Sequence, residues 1–204
     1  MSEVSSIKVL GVDLEVKLKI VNNSLGIIIC ASSNIKDFDV CDFISNKLNE
    51  YGFSTLIVNL YTNRENNENT FKYIQLFTDR LVGVTKWVIE NDKLNYLPIG
   101  YVGINGSAAS VVSASAYWGS SKIKSVVTIN GRPDLASDVL DLVESPTLLI
   151  VSTEGKEIVD NNRQAYIHLG CEKKTEFIQG KIDINNNLIE VSGLLSKWFS
   201  RHFV

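Results

Sequence analysis

Pro98-Ile99-Gly100-Tyr101-Val102-Gly103-Ile104-Asn105-Gly106-Ser107-Ala108-Ala109 is a short apolar run that passes through small residues into a helical pattern. A strand running into a helix through such residues has two readings. A dinucleotide-binding turn belongs to the first strand of its unit and needs an acidic residue after the next strand, and this turn falls too late in the chain. The other reading is a sharp strand-to-helix elbow of the form Gly-x-nucleophile-x-Gly, which lifts one side chain above a sheet. Gly103, Gly106 and Ser107 supply the small neighbours that a close strand–helix approach requires. The residue at the tip must hold a positive φ, and asparagine tolerates that better than most non-glycine residues. Asn105 therefore keeps the bend and lacks the nucleophile.

Outward from the elbow, apolar runs of strand length recur at 25–31, 54–60, 99–104, 125–129, 147–151 and 175–178. Continuous rather than alternating runs mark parallel strands buried on both faces. Between them lie segments of helical period: 37–51, 69–90, 107–118, 134–142, 156–169 and 188–202. Ahead of the first run, Val12, Leu14, Val16, Leu18 and Ile20 alternate with Asp13, Glu15, Lys17 and Lys19, a half-buried strand expected to form a hairpin across Gly11. The sum is one α/β domain over residues 1–204: a doubly wound, mostly parallel sheet with an N-terminal antiparallel hairpin and helices on both faces. Ligands in such sheets sit at the carboxyl ends of the strands, where the winding reverses.

The chain has 204 residues, 45% of them hydrophobic and 21% charged, with a formal net charge of −3. That balance excludes a disordered chain and a nucleic-acid footprint. No apolar run approaches the ~18 residues of a membrane span, and no secretory signal is readable, so a cytosolic protein is expected. Cys30, Cys41 and Cys171 lack metal-ligand spacing and read as structural thiols. Neither a metal nor a cofactor is expected. Trp87 and Trp198 lie on apolar helical stripes. Trp118 reads as a helix-end packing residue or a surface anchor for a partner. The polar 61–70 loop reads as a mobile rim.

Several segments in one register resemble the small α/β-hydrolases of the dienelactone hydrolase-like group. They are residues 26–31, Arg80-Leu81-Val82 with Trp87, the 98–103 strand, Gly131-Arg132-Pro133-Asp134-Leu135-Ala136, Pro146-Thr147-Leu148-Leu149-Ile150-Val151 and the closing Trp198-Phe199. The resemblance implies an α/β-hydrolase fold and a Ser or Cys nucleophile with a His base and an acid. Carried over residue by residue, the nucleophile falls on Asn105, the base on Asp183, and the acid on Gly155 with Glu154 adjacent. The His-Gly pair near the oxyanion hole falls on Ser32-Ser33. All depart from the family pattern.

The chain's two histidines, His168 and His202, fall outside the loop that would reach the elbow. A catalytically inactive protein, a pseudoenzyme, is the expectation. It would act through a small polar or anionic ligand, or a protein partner, held by Ser32, Ser33, Asn105, Gly106, Arg132 and Asp183. Self-association is compatible with this. Arg132 either pairs with a ligand anion or is spent on Asp134, and Glu154 and Asp183 are either functional carboxylates or solvated loop acids. The alternative is a serine-type hydrolase of small esters or lactones with a non-standard site, built on Ser107 as fallback nucleophile or on the Asp183/Glu154 pair.

Overall fold

The structure, a computed structural model, describes residues 3–62, 65 and 70–203. The alternating segment forms the expected hairpin, β1 (Glu3–Val9) and β2 (Val12–Lys19), antiparallel with Val9 opposite Val12. Leu10 and Gly11 join them, both with positive φ (50° and 75°). A two-residue turn of that hand matches the twist of the flanking strands. Val12, Leu14 and Val16 are buried while Asp13 and Glu15 face solvent; the alternation fades at Leu18, and Ile20 lies exposed beyond the strand.

The continuous runs become β3 (Ile27–Ser32), β4 (Ser54–Asn59), β5 (Ile99–Ile104), β6 (Ile123–Ile129) and β7 (Thr147–Ser152), nearly all buried on both faces, with β8 (Lys173–Ile178) as a more exposed edge. The order is β1-β2-β4-β3-β5-β6-β7-β8. β2 pairs antiparallel with β4, and β3 to β8 run parallel. Helices α1 (Ile35–Glu50) and α5 (Leu188–His202) cover one face, while α2 (Ile74–Glu90), α3 (Ala108–Trp118) and α4 (Lys156–His168) cover the other. The chain winds from β3 toward β4 and then from β5 toward β8. The reversal therefore opens a crevice between the carboxyl ends of β3 and β5.

One segment departs from expectation. Residues 134–142 form two short 3-10 turns, Pro133–Ala136 and Leu140–Leu142, rather than one helix. Their amides bond three residues back, Val139 to Ala136 and Leu142 to Val139. Ser137 and Asp138, which compete with helical backbone bonding, sit between them, and Leu135 and Leu142 turn outward instead of into the core. Trp198 is buried, and Trp87 and Trp118 pack half-buried against the core. Cys30 and Cys41 are fully buried, and burial pushes the Cys30 thiol up to about 12. Of the 61–70 loop, residues 63–64 and 66–69 lie outside the described residues. Among the described residues, no helix is long and apolar enough to cross a membrane.

Candidate functional site

Asn105 stands where the sequence places it. It follows β5, holds φ 48°, and starts a one-turn 3-10 segment (Asn105–Ser107) that leads into α3. Two features keep this bend tight. A Cβ on Gly131 would lie 2.5 Å from the Asn105 carbonyl oxygen and 2.2 Å from the Ala108 Cβ, so only glycine admits the elbow there. The Ser107 hydroxyl, fully buried, accepts from the Ile104 N–H at 2.8 Å and donates toward the Ala31 carbonyl at 2.7 Å, with the Ile104 carbonyl at 2.9 Å. Ser107 thereby ties the end of β3 to the end of β5, at the floor of the crevice.

Asn105 is solvent-exposed, yet its side chain is anchored: Nδ2 donates to Asp37 Oδ1 at 2.7 Å. Asp37 lies in the first turn of α1 and is only 4% exposed. Its backbone N–H donates to Asn34 Oδ1 (2.9 Å), the N-cap of the helix, and that contact turns Asn34 Nδ2 toward Asp37 Oδ2 (2.6 Å). Ser33 Oγ lies 3.3 Å from the same oxygen. Both carboxylate oxygens thus act as acceptors, the pattern of an ionised group. Burial raises the Asp37 pKa above its usual value, and the hydrogen bonds from Asn105, Ser33 and Asn34 offset part of that rise. The sequence signal for Asp37 was an Asn three residues before an acid at a helix start. Its contact with a residue 68 positions away carried no signal.

The other expected residues scatter. Ser32 and Ser33 do lie at the crevice, both buried; Ser32 Oγ donates to the Asn34 carbonyl at 2.6 Å. Gly106 is buried at the start of the turn into α3, where the amides of a helix start point outward. Arg132 is spent within the protein: Nε and Nη2 form a bidentate pair with Asp134 at 2.9 and 2.7 Å, and Nη1 lies 3.5 Å from Glu157. Asp183 turns into its own loop, where Oδ1 accepts from the Asn185 N–H and from Asn186 Nδ2, both at 2.9 Å. Those bonds hold its carboxyl below the usual range. Glu154 is exposed, with its backbone N–H bound to Ser152 Oγ at 3.0 Å. Gly155 begins α4 with φ 102°, a conformation a side chain would strain.

Both histidines are at the far end of the sheet. α4 returns from the carboxyl end of β7, so His168 closes it near the amino ends of the strands. His202 Nδ1 bonds the Trp198 carbonyl at 2.8 Å, and its neighbour Phe203 packs where a Gly26 Cβ would be, just before β3. Among the described residues, no group of three His, Cys, Asp or Glu is placed to hold a metal ion.

A strained strand-to-helix elbow at the winding reversal of an eight-stranded, mostly parallel sheet defines the α/β-hydrolase fold. Solved structures agree. Dienelactone hydrolase from Anabaena variabilis superposes with a TM-score of 0.91 at 28% identity, over 99% of this chain and 98% of that one. An alpha-beta serine hydrolase homologue from Coxiella burnetii gives 0.78 at 14% identity, over 96% of each chain. The chain therefore has the α/β-hydrolase fold and is similar over nearly its whole length to a dienelactone hydrolase. It is also 32% identical, over 166 residues, to a protein of Mycobacterium tuberculosis named "Putative phosphoribosyl transferase". That match takes in 78% of this chain but only 37% of the relative's length. No protein-family model matches the chain.

Proposed function

We propose that this α/β-hydrolase-fold protein is a pseudoenzyme, which binds a small polar ligand or a protein partner at the elbow and does not hydrolyse esters there. Its main support is the hydrogen bond between Asn105 and Asp37. Acyl transfer needs a nucleophile, a base to activate it, and donors aimed at the oxyanion. Here the nucleophile slot holds a carboxamide, whose nitrogen is not nucleophilic. The group beside it is a carboxylate that opposes developing negative charge. Loss of the general base alone is worth ~10²–10⁴ in rate. Ser107 gives no substitute, because its hydroxyl is buried and bonded to backbone on both sides.

Asp37 also bears on the ligand. With a carboxylate at the site and Arg132 held by Asp134, a neutral ligand rich in hydrogen-bonding groups fits better than an anion. The exposed carboxamide of Asn105 offers such a ligand both a donor and an acceptor. A phosphoribosyl group, dense in negative charge, fits poorly by the same reasoning; the transferase name belongs to a protein of which this chain spans about a third. A cytosolic setting goes with this reading.

The test is p-nitrophenyl acetate hydrolysis by the protein and by Asn105→Ala. Both are expected to match buffer. Turnover above buffer that Asn105→Ala or Asp37→Ala abolishes would overturn the reading in favour of a hydrolase with a non-standard site.

A further inference from the structure

The chain holds two Asn-Gly pairs, and both read Ile-Asn-Gly: Ile104-Asn105-Gly106 at the elbow and Ile129-Asn130-Gly131 after β6. Both asparagines hold φ 48°. The local sequence that sets the reactivity of an Asn-Gly bond is therefore nearly the same at the two, and what separates them is tertiary.

An Asn-Gly pair reacts with itself. The glycine nitrogen attacks the asparagine Cγ, uncrowded because glycine has no Cβ. The new N–Cγ bond closes an imide ring, the Cγ–Nδ2 bond breaks, and Nδ2 leaves as ammonia, carrying away a proton in place of the one the glycine nitrogen gave up. Water then opens the imide to aspartate or isoaspartate. Nδ2 leaves poorly until it gains that proton, so an acid beside it speeds the step.

The two sites differ at this point. Asn105 is exposed, and its Nδ2 lies 2.7 Å from Asp37 Oδ1. Burial raises the Asp37 pKa, so a larger fraction of it is protonated at neutral pH than of an ordinary aspartic acid. Before reaction Oδ1 accepts from Nδ2. Once Cγ is tetrahedral, Nδ2 is an amine with a lone pair, and the same contact delivers a proton to it. Gly106 stands at the start of the turn into α3, where backbone N–H groups have no acceptor within the helix, so its reaction breaks no helical bond. Asn130 is half-buried and its carboxamide is turned the other way. Its Oδ1 accepts from the Ser152 N–H at 3.4 Å, and among the described residues no carboxylate bonds to its Nδ2.

We infer that Asn105 is a self-modification site: Gly106 N attacks its Cγ, Asp37 protonates the departing nitrogen, and the elbow carboxamide becomes a carboxylate. The product sets a second carboxylate beside Asp37, and two such groups share one proton. The elbow thereby changes from a neutral hydrogen-bonding group to an acidic pair. This conversion is independent of which ligand the elbow binds.

The test is incubation of the full chain at neutral pH in heavy-oxygen water, with peptide mass spectrometry counting the label gained at both sites. In the folded parent, Asn105 is expected to convert about tenfold or more faster than Asn130, and faster than it does itself in urea. In urea the two sites should agree within about threefold, because the acid is no longer held beside Nδ2. Asp37→Asn keeps an acceptor for Nδ2 but has no acidic proton, and should bring Asn105 to within about threefold of Asn130. An Asn105 no faster than Asn130 in the folded parent, or slower there than in urea, overturns the inference. So does a rate unchanged by Asp37→Asn, or a gap between the sites that persists in urea. A variant that unfolds shows both sites at their urea rates, and the parent's folded-to-urea ratio at Asn105 then decides alone.

Discussion

At the residue scale, the site is governed by two polar groups with opposite demands. Ser107 is a latch: its one hydroxyl serves the Ile104 N–H and the Ala31 carbonyl in a fully buried position. Ser107→Ala takes the acceptor from the buried Ile104 N–H, which costs ~1–3 kcal/mol. Urea unfolding should therefore show a loss in that range, and a neutral result would remove the latch. Asp37 acts in the other direction. Its folded pKa is raised above the usual 3.8, mainly by burial. The folded state therefore holds this proton more tightly than the unfolded chain. That stabilising contribution is complete below the unfolded value and is lost as pH rises through the folded value. Relative to Asp37→Asn, the parent should lose stability as pH rises above 3.8 and through the raised folded value. Thermal midpoints measured across that range would show the two curves diverging; parallel curves would count against the shift.

At the element scale, the link between α2 and the loop after β4 is a buried ion pair. Arg80 Nη2 donates to Glu65 Oε1 at 2.8 Å and Nη1 to the Leu60 carbonyl at 2.5 Å, with both side chains almost wholly buried. Burial works against the Glu65 charge, but the hydrogen bonds from Arg80 and Thr62 win and hold its carboxyl below the usual range. Removing one partner strands the other charge. Arg80→Ala is expected to cost ~3–5 kcal/mol in chemical denaturation, whereas replacing both by apolar residues of similar volume should cost far less. The sequence marked Arg80 only as part of the Arg80-Leu81-Val82 segment that carries the family resemblance. Its partner, in a polar loop, was not legible, because periodicity reports which face is buried and not which loop residue reaches it. The 134–142 segment failed for a related reason. Leu135, Val139 and Leu142 have helical spacing, but backbone bonding three residues back and outward-facing leucines won over the pattern.

At the scale of the whole molecule, the sequence by itself determined the strands, their parallel character, the hairpin, and the elbow at Asn105 with its positive φ. Each of these follows from local chemistry: run length, alternation, small residues at a tight turn, and one asparagine able to hold the left-handed conformation. The resemblance to the dienelactone hydrolase-like group further implied that its catalytic positions fall on Asn105, Asp183 and Gly155. Only the tertiary structure decided what those slots do instead. Asp37 meets Asn105 because the winding reverses between β3 and β5, which brings the first turn of α1 beside the turn into α3. Arg132 had a ligand or Asp134 as candidates and took Asp134. Asp183 had the elbow or its own loop and took the loop. A hydrogen-bonding side chain takes whichever partner the packed chain leaves within about 3 Å, and that distance is set by elements far apart in sequence.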